Sequence, residues 1–220
     1  MNWQAVLLDL DGTLVETAPE IADAVNDTLR HFKLAEVTQT QVDAWIGHGT
    51  RELLILALAH LNHQPTEQVR ESAQLQQMLP VFDTHYHARC GTRSRLYPHV
   101  RETLSALRGR GCRLGVVTNK EGRYTETVLR AHGLHDAFDA VISGDTYPTK
   151  KPNPASVHDI LAKWHIAACD ALFVGDSSID AATARNAGLT VWLLPYGYNM
   201  GQPVQACQPD RVIADLSALL

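Results

Sequence analysis

Residues 5–14 read Ala5-Val6-Leu7-Leu8-Asp9-Leu10-Asp11-Gly12-Thr13-Leu14. An unbroken apolar run ends abruptly in two aspartates separated by a single leucine. A continuous run this short suits a strand covered on both faces, as in a parallel sheet, better than one half-exposed to water. Four more such runs follow: Leu114–Val117, Ala140–Ile142, Ala171–Val174 and Val191–Leu194. Helical patterns separate these four. Thr103–Leu107 runs toward Gly109, Thr125–Ala131 toward Gly133, and Ile179–Ala187 toward Gly188, while Pro154–Trp164 opens on proline. Glycine after the last helical residue and proline at the first are the expected terminal signals. Strand and helix therefore alternate from about residue 95 onward, which predicts an α/β fold: a Rossmann-like, doubly wound parallel sheet.

The first strand has no such neighbour. From Leu14 to about Tyr97 the pattern is helix after helix, with no strand signal. Ile21, Val25, Leu29 and Phe32 fall on one helical face. Val42, Trp45 and Ile46 suggest a short second helix, Leu53–Leu61 a third, and Val69–Arg89 a fourth. The expected organisation is a core of residues 1–14 and 90–220 with an all-α insertion, residues 15–89, threaded between its parts. At 220 residues the chain is about one and a half ordinary domains long, which such an insertion explains.

Composition removes several classes. Lys and Arg number 19 against 24 Asp and Glu, for a net charge of −5. There is no basic stripe, so no nucleic-acid partner is expected. No apolar run approaches the ~20 residues of a membrane span. Met1-Asn2-Trp3-Gln4 lacks the charged and apolar segments of a leader. Cys90, Cys112, Cys169 and Cys207 lie far apart, without zinc spacing. The expectation is a soluble, reduced, cytoplasmic protein, monomeric or homodimeric.

Ligands of open α/β sheets bind beyond the carboxyl ends of the strands. The first run delivers Asp9, Asp11 and Gly12 there, the second Thr118-Asn119, the third Ser143-Gly144-Asp145 and then Lys150-Lys151-Pro152, and the fourth Gly175-Asp176-Ser177-Ser178 with Asp180. Packing does not explain so many polar groups at one edge. Clustered carboxylates repel one another unless protonated or bridged by a cation. Oxygen ligands without imidazole or thiolate suit Mg²⁺. Cation, ammonium and neutral donors together match the charge spread of a transferring phosphoryl group. At its ordinary pKa of about 3.9 Asp9 would be ionised and nucleophilic without an activating base. Asp11, two residues on in an extended segment, would point the same way. It could protonate the leaving oxygen and later activate water. Gly12 permits the tight turn out of the sheet.

The four groups of residues, Asp9-Leu10-Asp11-Gly12-Thr13-Leu14, Thr118-Asn119, Lys151-Pro152 and Gly175-Asp176-Ser177-Ser178-Ile179-Asp180, resemble in type, order and spacing the four motifs of the haloacid dehalogenase superfamily. The all-α stretch resembles its helical cap. Trp45-Ile46-Gly47-His48-Gly49, Thr118-Asn119-Lys120 and Tyr196-Gly197-Tyr198-Asn199 resemble the phosphoglycolate phosphatases within it. The resemblance implies Asp9 as nucleophile and Mg²⁺ ligand, and Asp11 as acid/base that also binds the metal through its carbonyl. Thr118 and Asn119 would hold phosphate oxygens and Lys151 would neutralise them. Asp176 would be a further metal ligand, with Asp180 in or just behind that set. Lys151 is preferred over Lys150 because it directly precedes Pro152, as the superfamily's lysine does, and a residue before proline is biased toward an extended conformation.

The Gly47-His48-Gly49 loop and Arg51 are candidates to meet a small carboxylate. The implied activity is Mg²⁺-dependent hydrolysis of a small phosphorylated metabolite, 2-phosphoglycolate, to glycolate and phosphate through an aspartyl-phosphate. Sugar-phosphate phosphatases and phosphomutases share the chassis. A receiver-like phospho-aspartate switch also uses Asp, Mg²⁺, Thr and Lys, but its domain of ~120 residues has no room for an insertion of this size.

Overall fold

The computed structural model describes residues 3–220; the Met1-Asn2 pair that entered the reading of the N-terminus lies outside them. β1 (Ala5–Leu8) leads through β2 (Val15–Glu16) into five helices: α1 (Ala18–His31), α2 (Gln39–Asp43), α3 (Thr50–Asn62), α4 (Thr66–Arg70) and α5 (Ala73–Arg89). β3 (Arg95–Leu96) returns the chain. Then come α6 (Val100–Gly109), β4 (Arg113–Val117), α7 (Gly122–Ala131), β5 (Ala140–Ile142), α8 (Ala155–Trp164), β6 (Ala171–Gly175), α9 (Ser178–Ala187), β7 (Thr190–Leu193) and β8 (Arg211–Val212).

The sheet runs β5-β4-β1-β6-β7-β8, with every pair parallel. β1 is central, between β4 and β6, and all four of its residues are fully buried. Its alternate side chains feed two cores, as a two-residue period requires. Ala5 and Leu7 pack with Val157, Ile160 and Leu161 of α8 and with Ala181 and Ala184 of α9. Val6 and Leu8 belong to a second core that includes Val100 and Leu104 of α6 and continues into the insertion through Leu14, Ala18, Leu54 and Phe82. The inserted helices thus share one continuous apolar core with one face of the sheet. Gly115 of β4 lets the sheet close tightly, because a Cβ there would sit 2.8 Å from Leu7 Cδ2 and 3.1 Å from the Trp164 ring.

Three short strands escape the sequence pattern. β2 and β3 pair antiparallel, Val15 with Leu96 and Glu16 with Arg95, where the chain leaves and re-enters the sheet domain. That corrects the strand-free reading of residues 14–97; two residues are too few to show an alternating period. β8 is equally short. The single helix expected over Val69–Arg89 is two, because Ser72 stops one and starts the next, its hydroxyl accepting the Leu75 N–H at 3.1 Å. α1 packs along α5. A buried carboxylate fastens the returning chain: Glu20 of α1 accepts the N–H groups of Gly91 at 3.0 Å, Arg93 at 3.2 Å and Ser94 at 2.9 Å.

Candidate active site

The carboxyl ends of β1, β4 and β6 open into a cavity of about 40 Å³, lined by Asp9, Asp11, Thr118, Asn119, Lys120, Asp176, Ser177 and Tyr198. The insertion supplies the opposite wall through Ile21, Ile46, Gly47, Gly49, Thr50 and Leu53. One water needs roughly 10–15 Å³ in the same measure, so the space suits a compact ligand.

Asp9 ends β1. Its Oδ1 accepts the Leu10 N–H at 2.7 Å and faces Lys151 Nζ at 2.9 Å, which leaves Oδ2 to the cavity. Lys151 Nζ also bonds Asp180 Oδ1 at 2.7 Å. Burial works against this ammonium, but Asp180 and Asp9 outweigh it and raise its pKa. Lys150 lies outside, 4.0 Å from Glu121 Oε1. The bond from Lys151 to Pro152 is cis.

Asp176 is held by the Thr13 hydroxyl at 2.7 Å and the Tyr198 N–H at 2.5 Å. Gly12 (φ +82°) and Gly197 make room for it: a Cβ on either would lie 2.4 or 2.2 Å from Asp176 Oδ2. Asp180 Oδ2 accepts the N–H groups of Asp176 and Ser177, both at 3.1 Å, and the Ser177 hydroxyl at 2.6 Å. Carboxylate oxygens of Asp9, Asp176 and Asp180 lie within 4.8 Å of one another. Asp180 is already committed to four donors, so its geometry is that of an organiser, fixing Lys151 and the turn that carries Asp176.

Crowding has an electrostatic cost. Burial, with Asp180 and Asp11 adding repulsion, pushes Asp9 up to about 7 even though Lys151 pulls the other way. Burial, with Asp180 and Asp9, raises Asp176 well above the carboxylate range. The expectation that Asp9 is ionised unaided is therefore corrected: its burial makes ionisation near neutrality depend on a compensating charge. An all-oxygen set so disposed fits a hard divalent cation such as Mg²⁺.

Asp11 faces the insertion. Its Oδ1 accepts the Thr17 hydroxyl at 2.6 Å and its Oδ2 lies 3.0 Å from Lys120 Nζ. Lys120 in turn donates to Tyr86 Oη of α5 at 2.5 Å and stands over that ring, 5.0 Å from its centroid. Burial opposes the Lys120 charge; Asp11, with the neighbouring groups, holds its pKa above the ordinary lysine value.

Two of the expected side chains are engaged by other protein groups. Asn119 lines the cavity, but its carboxamide is tied to the protein: its Oδ1 accepts the Lys151 N–H at 2.9 Å, and its Nδ2 donates to Gly47 O at 3.0 Å and Lys151 O at 3.2 Å. It ties three segments together. Thr118 does line the cavity, and its hydroxyl also accepts the Lys120 N–H at 3.2 Å. Arg51 is exposed and turned outward, its guanidinium donating to Arg70 O at 3.1 Å. Thr50, its neighbour on α3, faces inward and donates to Glu121 Oε1 at 2.8 Å, joining insertion to core. Gly47 and Gly49 of the Gly47-His48-Gly49 loop lie on the cavity wall. Lys120, Tyr86, Thr13, Thr17 and Tyr198 had gone unassigned. The Asp9–Leu14, Thr118-Asn119-Lys120 and Tyr196–Asn199 stretches include three of them, Thr13, Lys120 and Tyr198, without a role for any.

Paired aspartates at the end of a central parallel strand, with a lysine and a third buried aspartate from neighbouring strands, define a hydrolase site of the phosphoryl-transfer type. The sequence model for haloacid dehalogenase-like hydrolases matches residues 6–194, and the chain belongs to that family. It is 38% identical over 218 residues to the phosphoglycolate phosphatase of Vibrio vulnificus (strain YJ016), covering 98% of this chain and 93% of that one. It is 40% identical over 214 residues to that of Nitrosospira multiformis (strain ATCC 25196 / NCIMB 11849 / C 71), covering 97% and 92%. The crystal structure of a predicted phosphoglycolate phosphatase from Haemophilus somnus 129PT superposes with a TM-score of 0.92 at 32% identity, over 100% of this chain and 97% of that one.

Proposed function

We propose that this phosphatase hydrolyses 2-phosphoglycolate to glycolate and phosphate, through an aspartyl-phosphate on Asp9 and with Mg²⁺ as cofactor. The observation that carries the reading is the free Asp9 Oδ2 in a small cavity, with Lys151 on its other oxygen and Asp11 on the wall facing the insertion. Full-length similarity to proteins named phosphoglycolate phosphatase supports the substrate.

In this mechanism Asp9 attacks phosphorus, the ester P–O bond breaks, and the departing oxygen takes a proton from Asp11. Water then attacks the aspartyl-phosphate phosphorus and gives its proton to Asp11, which restores Asp9 and releases phosphate. Lys151 and the Thr118 hydroxyl meet the phosphoryl oxygens. Asp9, Asp176 and the Asp11 carbonyl would hold the Mg²⁺, which supplies charge neutralisation at the phosphoryl group. Residues 15–89 act as the cap over a core of residues 1–14 and 90–220, and closure excludes bulk water. The Gly47 loop and the start of α3 are its substrate-facing part.

The test is kcat/KM over a panel of phosphorylated metabolites with Mg²⁺, sugar phosphates included. Preference for 2-phosphoglycolate is expected; another ester favoured tenfold or more, about 1.4 kcal/mol in the transition state, overturns the substrate. Asp9→Asn is expected to lose turnover and phosphoenzyme together. Turnover retained in that variant removes the covalent step.

A further inference from the structure

Phosphoryl transfer as derived above uses Lys151 and leaves a second buried ammonium without a task. Lys120 lines the cavity, and its side chain is 3% exposed. An ammonium has three donors. One is directed to Asp11 Oδ2 and one to Tyr86 Oη; the third has no partner among the described residues. Four buried or half-buried carboxylates, Asp9, Asp11, Asp176 and Asp180, surround the site against two lysines. A divalent cation brings that set to neutrality, so the substrate's anionic groups are met by directed donors in the cavity and not by surplus positive charge.

Position supplies the rest. Asp11 must hydrogen-bond the ester oxygen to protonate it, and Lys120 Nζ is 3.0 Å from the Asp11 carboxylate. In phosphoglycolate the carboxyl carbon lies one methylene beyond that oxygen. A ligand placed for attack by Asp9 therefore sets its carboxylate on the insertion side of Asp11, where the open N–H of Lys120 faces the cavity. Tyr86, fully buried on α5, fixes the ammonium from behind.

We infer that Lys120 is the specificity-determining residue of this site, binding the carboxylate of the substrate's leaving group, with Tyr86 as its positioning residue. This deepens the phosphoglycolate reading and rests on it. Residues of both the sheet domain and the insertion form the subsite, so carboxylate recognition requires the closed arrangement. Esters without the carboxylate lose the contact and leave a desolvated ammonium short of a partner, which penalises them further.

The experiment compares kcat/KM for 2-phosphoglycolate and for ethyl phosphate, a similar ester lacking the carboxylate, in the wild-type protein and in Lys120→Met and Lys120→Arg. Both esters will lose rate in Lys120→Met, because Asp11 loses a neighbour. The ratio between them is the diagnostic quantity. It is expected to fall at least about tenfold, as loss of a charge-assisted hydrogen bond predicts, and Lys120→Arg is expected to recover part of it. Equal losses on both esters would overturn the assignment and leave Lys120 as a support for Asp11, with the phosphoglycolate reading intact. A wild-type ratio near one would overturn that reading and this inference with it. Should Lys120→Met fail to fold by circular dichroism, Tyr86→Phe gives the same readout: a smaller fall in the ratio supports the subsite, and an unmoved ratio refutes it.

Discussion

Stripping the protein of divalent metal should invert the pH dependence that carboxylates ordinarily give to folding. Asp9 is pushed up to about 7, chiefly by burial, from 3.8 in an unfolded chain, and burial raises Asp176 in the same direction. Between those two values the folded protein binds protons that the unfolded chain has released. By linkage, the contribution of this pair is full below about pH 4 and is lost as pH rises through about 7. The span for Asp9 is a little over three pH units at ~1.4 kcal/mol each, a ceiling of ~4 kcal/mol. Coupling with Asp176 and Asp180 spreads that figure over the cluster, so a loss of roughly 2–4 kcal/mol between pH 5 and pH 7.5 is expected. A bound cation replaces the protons and removes the slope. Urea unfolding of EDTA-treated and Mg²⁺-loaded protein across that range gives the two curves. Titration calorimetry at pH 7 in two buffers of different ionisation enthalpy counts the protons displaced, with at least about half a proton per Mg²⁺ expected from Asp9 alone. A metal-free stability that is flat or rises over this range, together with buffer-independent binding heats, would refute the electrostatic account of the cluster.

Two side chains away from the reacting atoms should matter through the groups they hold. Asp180→Asn keeps the shape but removes the charge facing Lys151 and weakens the bonds to the Asp176–Ser177 turn; breaking a buried pair of this kind costs roughly 3–5 kcal/mol, so a Tm drop and a fall in kcat larger than any rise in KM are expected. Glu20→Gln replaces the carboxylate that receives the N–H groups of Gly91, Arg93 and Ser94. One amide oxygen cannot serve all three, and a loss of roughly 2–3 kcal/mol in urea unfolding is expected, with enhanced hydrogen exchange in residues 91–94 as its local signature.

How much of this site a sequence can reveal depends on how each residue reaches it. Asp9, Asp176 and Thr118 were legible because a buried strand emits its next residues at one edge of the sheet, so strand position alone places them. Position fixes location and leaves orientation open. Asn119 follows Thr118, yet its carboxamide is spent on Lys151 and Gly47, partners distant in sequence whose approach no local pattern encodes. Arg51 failed for a geometric reason. Successive helix residues turn about 100°, so when Gly49, Thr50 and Leu53 face the cavity, Arg51 is carried round to the outer face and Arg70. The short strands β2 and β3 were invisible because they pair through two residues each, too few to show an alternating period. Lys120 illustrates the remaining limit. Beside Asn119 and Glu121 it reads as an ordinary helix-leading charge. Its contacts come from Asp11, in the loop after β1, and from Tyr86, at the far end of the insertion. Catalytic chemistry common to the fold is thus written at strand ends, where topology makes it readable. The Lys120 contacts join insertion and core through residues far apart in sequence, so it is here that sequence alone stops short.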